Sequence, residues 1–383
     1  MKPERKRESL WKNKAVQSLV SSLLCIIIGL LVGYVVLLFI NPAGAGEAIL
    51  TIIKNFFYYP SPAAALKYFG NTLVKTAPLL MCGLSILFAY KVGLFNIGAA
   101  GQYVLGAGAC LYCALGLGLP WYVCMVAAVA AGAVLGAVAG LLKAYCNVNE
   151  VISCIMLNWI SLYLVNTLLT GVKESASPYT LTLSSTNPSA LLPGLGLGKL
   201  FSNNQYVTIA IPLCVVVAIL IWVLLEKTKL GYELKATGYN KYAAQYCGMR
   251  EKRNTILTMV IAGGLAGLGA SMLYQTGFEQ WQCTQAAVPN MGFNGIAAAF
   301  LGGLNPIGTI FSSYFIQHIT AGGAYVDKTM YSAQISDLIS SLIIYLCGFV
   351  LFFKQIMQRR IARREEKALE AARVSGAEKG GEE

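Results

Sequence analysis

The chain has 383 residues, 56% of them hydrophobic and only 12% charged, with a formal net charge of +12. Soluble domains carry about one charged residue in four, so this composition excludes an ordinary globular domain and calls for apolar crossings of roughly 20 residues each. Its basic residues punctuate apolar runs instead of interleaving with aromatics on one polar face, which excludes a nucleic-acid-binding surface.

In chain order, residues 1–17 read as a basic cytoplasmic segment. The apolar run from Ser18 to Ile40 is longer than a signal-peptide core and reads as a retained first span. Residues 41–70 are mixed in composition, with Pro60 and Pro62, and are expected outside. Further spans are expected over 71–90, 94–119, 121–142 and 151–170, followed by a polar outer loop at 171–204. A span over 206–225 leads into a charged cytoplasmic loop, 226–254, and the next span covers 255–275. After an outer loop at 276–290, residues 291–320 hold two apolar pieces interrupted at Gly302–Pro306. Each piece is too short to cross, so they read as a re-entrant pair whose freed backbone groups need protein or water partners. A last span, 335–353, closes a permease domain of 18–353, and 354–383 form a charged cytoplasmic tail.

The expected fold is therefore an all-α integral membrane protein with about ten membrane-embedded helices. In this order of spans 23 of the 29 Lys and Arg lie on one side, which by the positive-inside rule puts both termini in the cytoplasm. Gly132, Gly136 and Gly140, and likewise Gly263 and Gly267, recur every four residues. This spacing lines one helix face with small side chains and allows close helix approach.

Chemistry-bearing groups are sparse. The single histidine, His318, lies in an apolar stretch and reads as a hydrogen-bonded packing residue. There is no His-Glu-x-x-His metal motif and no Gly-x-Ser-x-Gly nucleophile elbow. Gly194 to Lys199 fails the phosphate-loop pattern, because Pro193 replaces its first glycine and Leu200 its Ser or Thr. Of the eleven cysteines only Cys283 falls in an outer loop, so no disulfide framework is expected, and the lone Cys110-x-x-Cys113 pair reads as packing. Asp337 and Glu150 are the carboxylates nearest a span, and both read as interfacial. A chain so composed is not an enzyme, binds no metal or cofactor, and takes any driving energy from another subunit.

The loop after the sixth span carries the most information. Thr237-Gly238-Tyr-Asn240-Lys-Tyr-Ala243-Ala244-Gln-Tyr-Cys-Gly248 reads as a short cytoplasmic helix. Asn240 can cap its start and Gly248 can end it in a left-handed turn. Ala243 and Ala244 offer a smooth surface to a cleft in another protein, or the helix is an ordinary interfacial one.

This loop resembles the coupling-helix region of the branched-chain amino acid, ribose and nucleoside permease family of ABC importers. Gly93-Leu-Phe95-Asn96-Ile-Gly98-Ala-Ala-Gly101-Gln102 is similar to that family's third-span signature, and Asn149 to Asn158 to the start of its fifth span. Gly292-Phe293-Asn294-Gly295 through Gly308 is similar to its late broken segment. The Asn96 and Asn149 segments look closest to the nucleoside and simple-sugar branch, served by basic-membrane-type lipoproteins. The resemblance implies a type II-like permease translocating nucleosides or simple sugars across the cytoplasmic membrane. Its partners would be a second permease subunit, cytosolic ABC ATPases that bind the ATP, and an extracellular substrate-binding lipoprotein. Coupling would run through Thr237, Gly238, Asn240, Ala243, Ala244 and Gly248. Neutral amides suit a hydroxyl-rich solute. This makes Asn96, Gln102, Asn158 and Asn294 candidates for the solute path, with Phe95 and Phe293 for stacking, unless the amides bridge helices instead. A branched-chain amino acid permease and an ion-coupled secondary transporter are the alternatives.

Overall fold

The computed structural model describes residues 14–327, 329–331 and 352–363, with scattered positions between 338 and 350. Among these residues regular structure is helical, apart from two isolated β-bridges. Helix α1 spans Lys14–Ile40. It ends where Pro42 lacks a backbone donor and the Asn41 side chain accepts from the Ala43 N–H.

The mixed stretch 41–70 is largely helical. It holds α2, Ala45–Lys54, whose Ala45, Ala48, Thr51 and Ile52 are buried on one face. Pro62 stands in the first turn of α3, Pro62–Lys91, where its missing N–H has no helical partner to lose. At 30 residues α3 starts well before the expected 71 and continues through Pro78.

Helix α4, Ala99–Leu111, widens into a π-helical turn at Tyr112–Gly116. Helix α5 is Trp121–Cys146 and α6 is Glu150–Leu169, the latter capped by Asn149 accepting from the Val151 N–H at 2.9 Å. Lys143 at the end of α5 pairs with Glu150 at 2.7 Å. After the 171–204 loop come α7 (Ala210–Lys227), α8 (Lys229–Tyr239), α9 (Lys241–Tyr246) and α10 (Glu251–Tyr274). Then α11, Met291–Leu301, breaks at Gly302–Asn305, and α12, Pro306–Gly323, follows with Asn305 accepting from the Ile307 N–H at its start.

Seven of the described helical stretches are long and apolar enough to cross a membrane. The chain is thus a multi-pass, all-helical membrane protein, with fewer full-length spans described than the ten embedded helices expected. Helix α11, at 11 residues, rises only about 16 Å against a core of about 30 Å. The expected span 335–353 lies largely outside the described residues, as do most of segment 1–17, Asp337, and the tail beyond 363.

The helices form two tiers of burial. The most apolar windows of α3 and α10 are 89% and 72% buried, against 22% for α1 and 28% for α7. Helix α10 packs most extensively on α5, then on α3 and α4. Lipid tails are as apolar as leucine, so close backbone packing must hold such a bundle together. The two glycine rows meet for that purpose: a methyl group on Gly132 would stand 2.3 Å from the Gly263 carbonyl oxygen, and one on Gly267 2.2 Å from that of Ala128. His318 is a packing residue, its Nε2 2.9 Å from the Ile53 carbonyl and its own carbonyl accepting from Asn55 at 2.8 Å. Cys110 and Cys124 are buried among apolar neighbours.

Candidate functional site

The 226–254 loop folds into an elbow of two helices, not one. Thr237 and Gly238 belong to the last turn of α8, and the chain turns extended at Asn240. The Asn240 side chain then caps α9 by accepting from the N–H groups of Tyr242 (3.1 Å) and Ala243 (3.0 Å). At the far end Gly248 adopts φ +79°, its N–H donating to Gln245. Both expected terminators therefore act as the residue types require.

The elbow is fastened on two sides. Thr237 is buried, donates to the Glu233 carbonyl at 2.8 Å and accepts from the Asn254 side chain at 2.8 Å, which ties it to α10. Gly238 lies directly on the backbone of Val92 and Gly93 in the α3–α4 connection. Lys235 and Glu226 pair across the turn from α7 at 3.0 Å.

The two alanines face opposite ways. Ala243 is exposed, but Ala244 is buried at 4% exposure, so the pair does not make a shared smooth surface. The outward face carries tyrosines instead: Tyr239 and Tyr246 are 96% and 94% exposed, and Tyr242 is also open. These were missed in the sequence, although their spacing of three and four residues was the available signal.

The proposed solute-path amides are drawn into the bundle. Asn96, Gln102 and Asn158 are buried and bonded to protein. The Asn96 amide donates to Ser85 Oγ (3.0 Å) and Gln102 Oε1 (2.8 Å), and Gln102 returns a bond to Asn96 Oδ1 at 3.1 Å. Asn158 accepts from the Gly101 N–H at 2.7 Å and donates to the Ile97 carbonyl at 3.1 Å. These three close the 92–101 connection onto α3 and α6, which is the helix-bridging role. Phe95, Phe293 and Asn294 are half-buried, and α11 sets Gly292 against Ala100 at the start of α4.

At the end of α10 remote from the elbow, the 276–290 segment borders an open cavity of about 370 Å³, lined by Tyr179, Tyr274, Glu279, Gln280, Gln282, Gln285 and Pro289. The segment is stitched to α6 and to the 171–204 loop. Asn166 accepts from the Trp281 indole at 3.0 Å and donates to the Gln285 carbonyl at 2.9 Å. Gln280 donates to Glu174 (3.0 Å) and to the Thr180 carbonyl (2.7 Å). Among the described residues no group of three or more His, Cys, Asp or Glu is placed to hold a metal.

Residues 68–348 match the family described as branched-chain amino acid transport system / permease component. The guanosine ABC transporter permease NupP of Bacillus subtilis is 28% identical over 86% of this chain and 93% of its own length. The nucleoside ABC transporter permease NupB of Lactococcus lactis is 29% identical over 95% of this chain and 99% of its own. The glucose ABC transporter permease TsgB13 of Haloferax volcanii is 30% identical over 75% and 78%. No solved structure matches the chain. A family match over most of the helical bundle fits the membrane architecture: this chain belongs to the branched-chain amino acid transport system / permease component family, as a multi-pass transport component.

Proposed function

We propose that the chain is the permease subunit of an ABC importer that moves nucleosides across the cytoplasmic membrane, driven by separate ATPase subunits. The single observation that carries the mechanism is the double anchorage of the α8–α9 elbow, to Asn254 on α10 and to Val92–Gly93 between α3 and α4. α3 and α10 are the most buried long helices, so a push on the elbow is delivered straight to the centre of the bundle. Packed helices shift as rigid bodies between discrete arrangements, which is how closure of the ATPases would reopen the path.

The nucleoside assignment is supported by NupP and NupB, which match nearly the whole chain. A simple sugar is the second reading, favoured by the likeness to TsgB13. In this scheme both termini and the elbow face the cytoplasm, residues 18–353 form the translocating domain, and α11–α12 act as a re-entrant pair. A second permease subunit completes the path, and an extracellular lipoprotein delivers the solute. The elbow's contact is with the ATPase through Tyr239, Tyr242 and Tyr246, with Thr237, Gly238, Asn240, Ala244 and Gly248 fixing its shape and Ala243 at its surface. Asn96, Gln102 and Asn158 hold the bundle in register and are not solute contacts.

The test is uptake of labelled guanosine, uridine and glucose into proteoliposomes holding the assembled transporter. Uptake should require internal ATP and persist when ion gradients are collapsed. Uptake by this chain alone on a proton gradient would overturn the proposal.

A further inference from the structure

The cavity between the 276–290 segment and the end of α10 is built for a particular kind of guest. Its volume, about 370 Å³, lies within the range of small-molecule sites, roughly 300–1,000 Å³. Its wall holds two tyrosines, three glutamines and one carboxylate. Phenol rings offer faces for a planar ring, and amides offer both donors and acceptors to hydroxyls.

The polar groups divide into those already committed and those free. Gln280 is spent on Glu174 and Thr180, which fixes the wall. Gln282 makes only a long contact with Thr284, at 3.4 Å. The side-chain nitrogen of Gln285 is buried and has no hydrogen-bond partner in the protein. A buried donor left unpaired is costly, and because water cannot reach it, a guest's acceptor relieves that cost only when the Gln285 side chain turns into the cavity.

Charge adds a filter. Glu279 pairs with Lys75 of α3 at 2.7 Å, and the Lys75 ammonium also stands 5.3 Å from the Phe278 ring centre. The pair is neutral as a unit, and both side chains are only about one-third exposed. Because Lys75 is already matched and the lining itself holds no Lys or Arg, an anionic guest would meet the Glu279 carboxylate with no unpaired cation in the cavity wall to offset it.

We propose that this cavity is a solute-binding station of the permease, selective for a neutral solute with a planar ring and several hydroxyls, and that the Lys75–Glu279 pair excludes phosphorylated forms. The station rests on the nucleoside reading above and assigns it a place in the chain. Tyr179 and Tyr274 take the ring, Gln282 and Gln285 take the hydroxyls and ring heteroatoms, and Glu279 accepts from a hydroxyl.

The experiment uses the assembled transporter in proteoliposomes. Photolabelling with tritiated 8-azidoguanosine should modify the peptide containing Tyr274 to Gln285, and excess guanosine should protect it. Gln285→Leu should raise the KM for guanosine uptake by about fivefold or more, the loss of one to two hydrogen bonds, with ATPase activity retained. Glu279→Gln leaves Lys75 uncompensated and should make guanosine 5′-monophosphate inhibit uptake about tenfold more strongly, a direction that mere loss of packing cannot produce. ATP-driven guanosine uptake with the label elsewhere, or with monophosphate inhibition unchanged in Glu279→Gln, overturns the station and leaves the nucleoside reading standing. Absence of guanosine uptake by the wild-type assembly overturns both.

Discussion

Gly93 and Gly238 meet backbone to backbone. A methyl group on Gly238 would lie 2.2 Å from the Val92 carbonyl carbon and oxygen, and one on Gly93 would lie 2.8 Å from the Gly238 carbonyl oxygen. Gly93 is also held at φ +78°, where other residues are strained. The obstacles are backbone atoms, so neither side can yield by a rotamer change. Gly238→Ala should therefore detach the elbow from the α3–α4 connection while leaving the bundle inserted. ATP-driven uptake should fall at least about tenfold, a change worth about 1.4 kcal/mol, while ATPase activity in the same vesicles persists uncoupled. Normal uptake in a fully assembled Gly238→Ala transporter would show that the contact carries no motion.

The exposed tyrosines give a separate handle on the same lever. Large aromatic side chains that lose their water at an interface commonly contribute more than about 1 kcal/mol each. Tyr239→Ala and Tyr246→Ala change residues that touch little of this chain, so membrane insertion and melting temperature should stay at wild-type values. ATPase retention on the affinity-purified permease should drop, and more in the double variant than in either single one. Ala244→Arg is a poorer probe, because Ala244 is buried and an arginine there would distort the elbow itself.

The amide cluster predicts a stability effect without a selectivity effect. Asn96→Ala strands the Gln102 carbonyl and amide and the Ser85 hydroxyl in a fully buried place. Losing such partners costs about 1–3 kcal/mol each. The melting temperature of the purified permease should fall, and the preference for guanosine over glucose in residual uptake should not move. An unchanged melting temperature with a shifted preference would return Asn96 to the solute path.

Sidedness is testable with native cysteines. Cys146 at the end of α5 and Cys247 at the end of α9 are exposed, whereas Cys283 in the 276–290 segment is buried. Burial pushes the Cys283 thiol above its ordinary range, with the Lys173 ammonium pulling it partly back, so little reactive thiolate forms at neutral pH. An impermeant maleimide should label Cys146 and Cys247 in inside-out vesicles and leave Cys283 nearly unlabelled from outside intact cells. Rapid labelling of Cys247 from outside would invert the topology.

What the sequence made legible follows physical strength. Long apolar runs, the break at Gly302–Pro306, the Asn240 cap and the left-handed Gly248 are dictated by local chemistry, and each stands where the residues demand. The early start of α3 stayed hidden because Pro60 and Pro62 look like breakers when read one by one, although Pro62 starts that helix. The amides were ambiguous because a buried Asn looks the same in a string whether its partner is a solute or, as for Asn158, the Gly101 N–H and Ile97 carbonyl. The cavity was invisible for a related reason: Tyr179 and Gln285 become neighbours only when two loops far apart in the chain are stitched by Asn166, Thr180 and Glu174.

The glycine crossing of α5 and α10 sets the last prediction. Four-residue spacing within each row was readable, but which row meets which is a tertiary fact, and Gly132 falls on Gly263. A methyl on either glycine would stand 2.2–2.3 Å from the other's carbonyl oxygen, so the helices must separate to admit it. Overfilling a packed interior costs about 1–3 kcal/mol, and here it also weakens the largest helix–helix contact in the bundle. Gly132→Ala and Gly263→Ala should each lower the melting temperature and the yield of monodisperse protein. The double variant should lose less than the sum, because the first methyl already opens the gap that the second needs. Gly46→Ala is the control: an added methyl meets nothing within 4 Å and alanine favours the helix, so stability should hold or rise slightly. If Gly263→Ala behaved like Gly46→Ala, close backbone contact could not be what fixes α10 at the centre of the bundle.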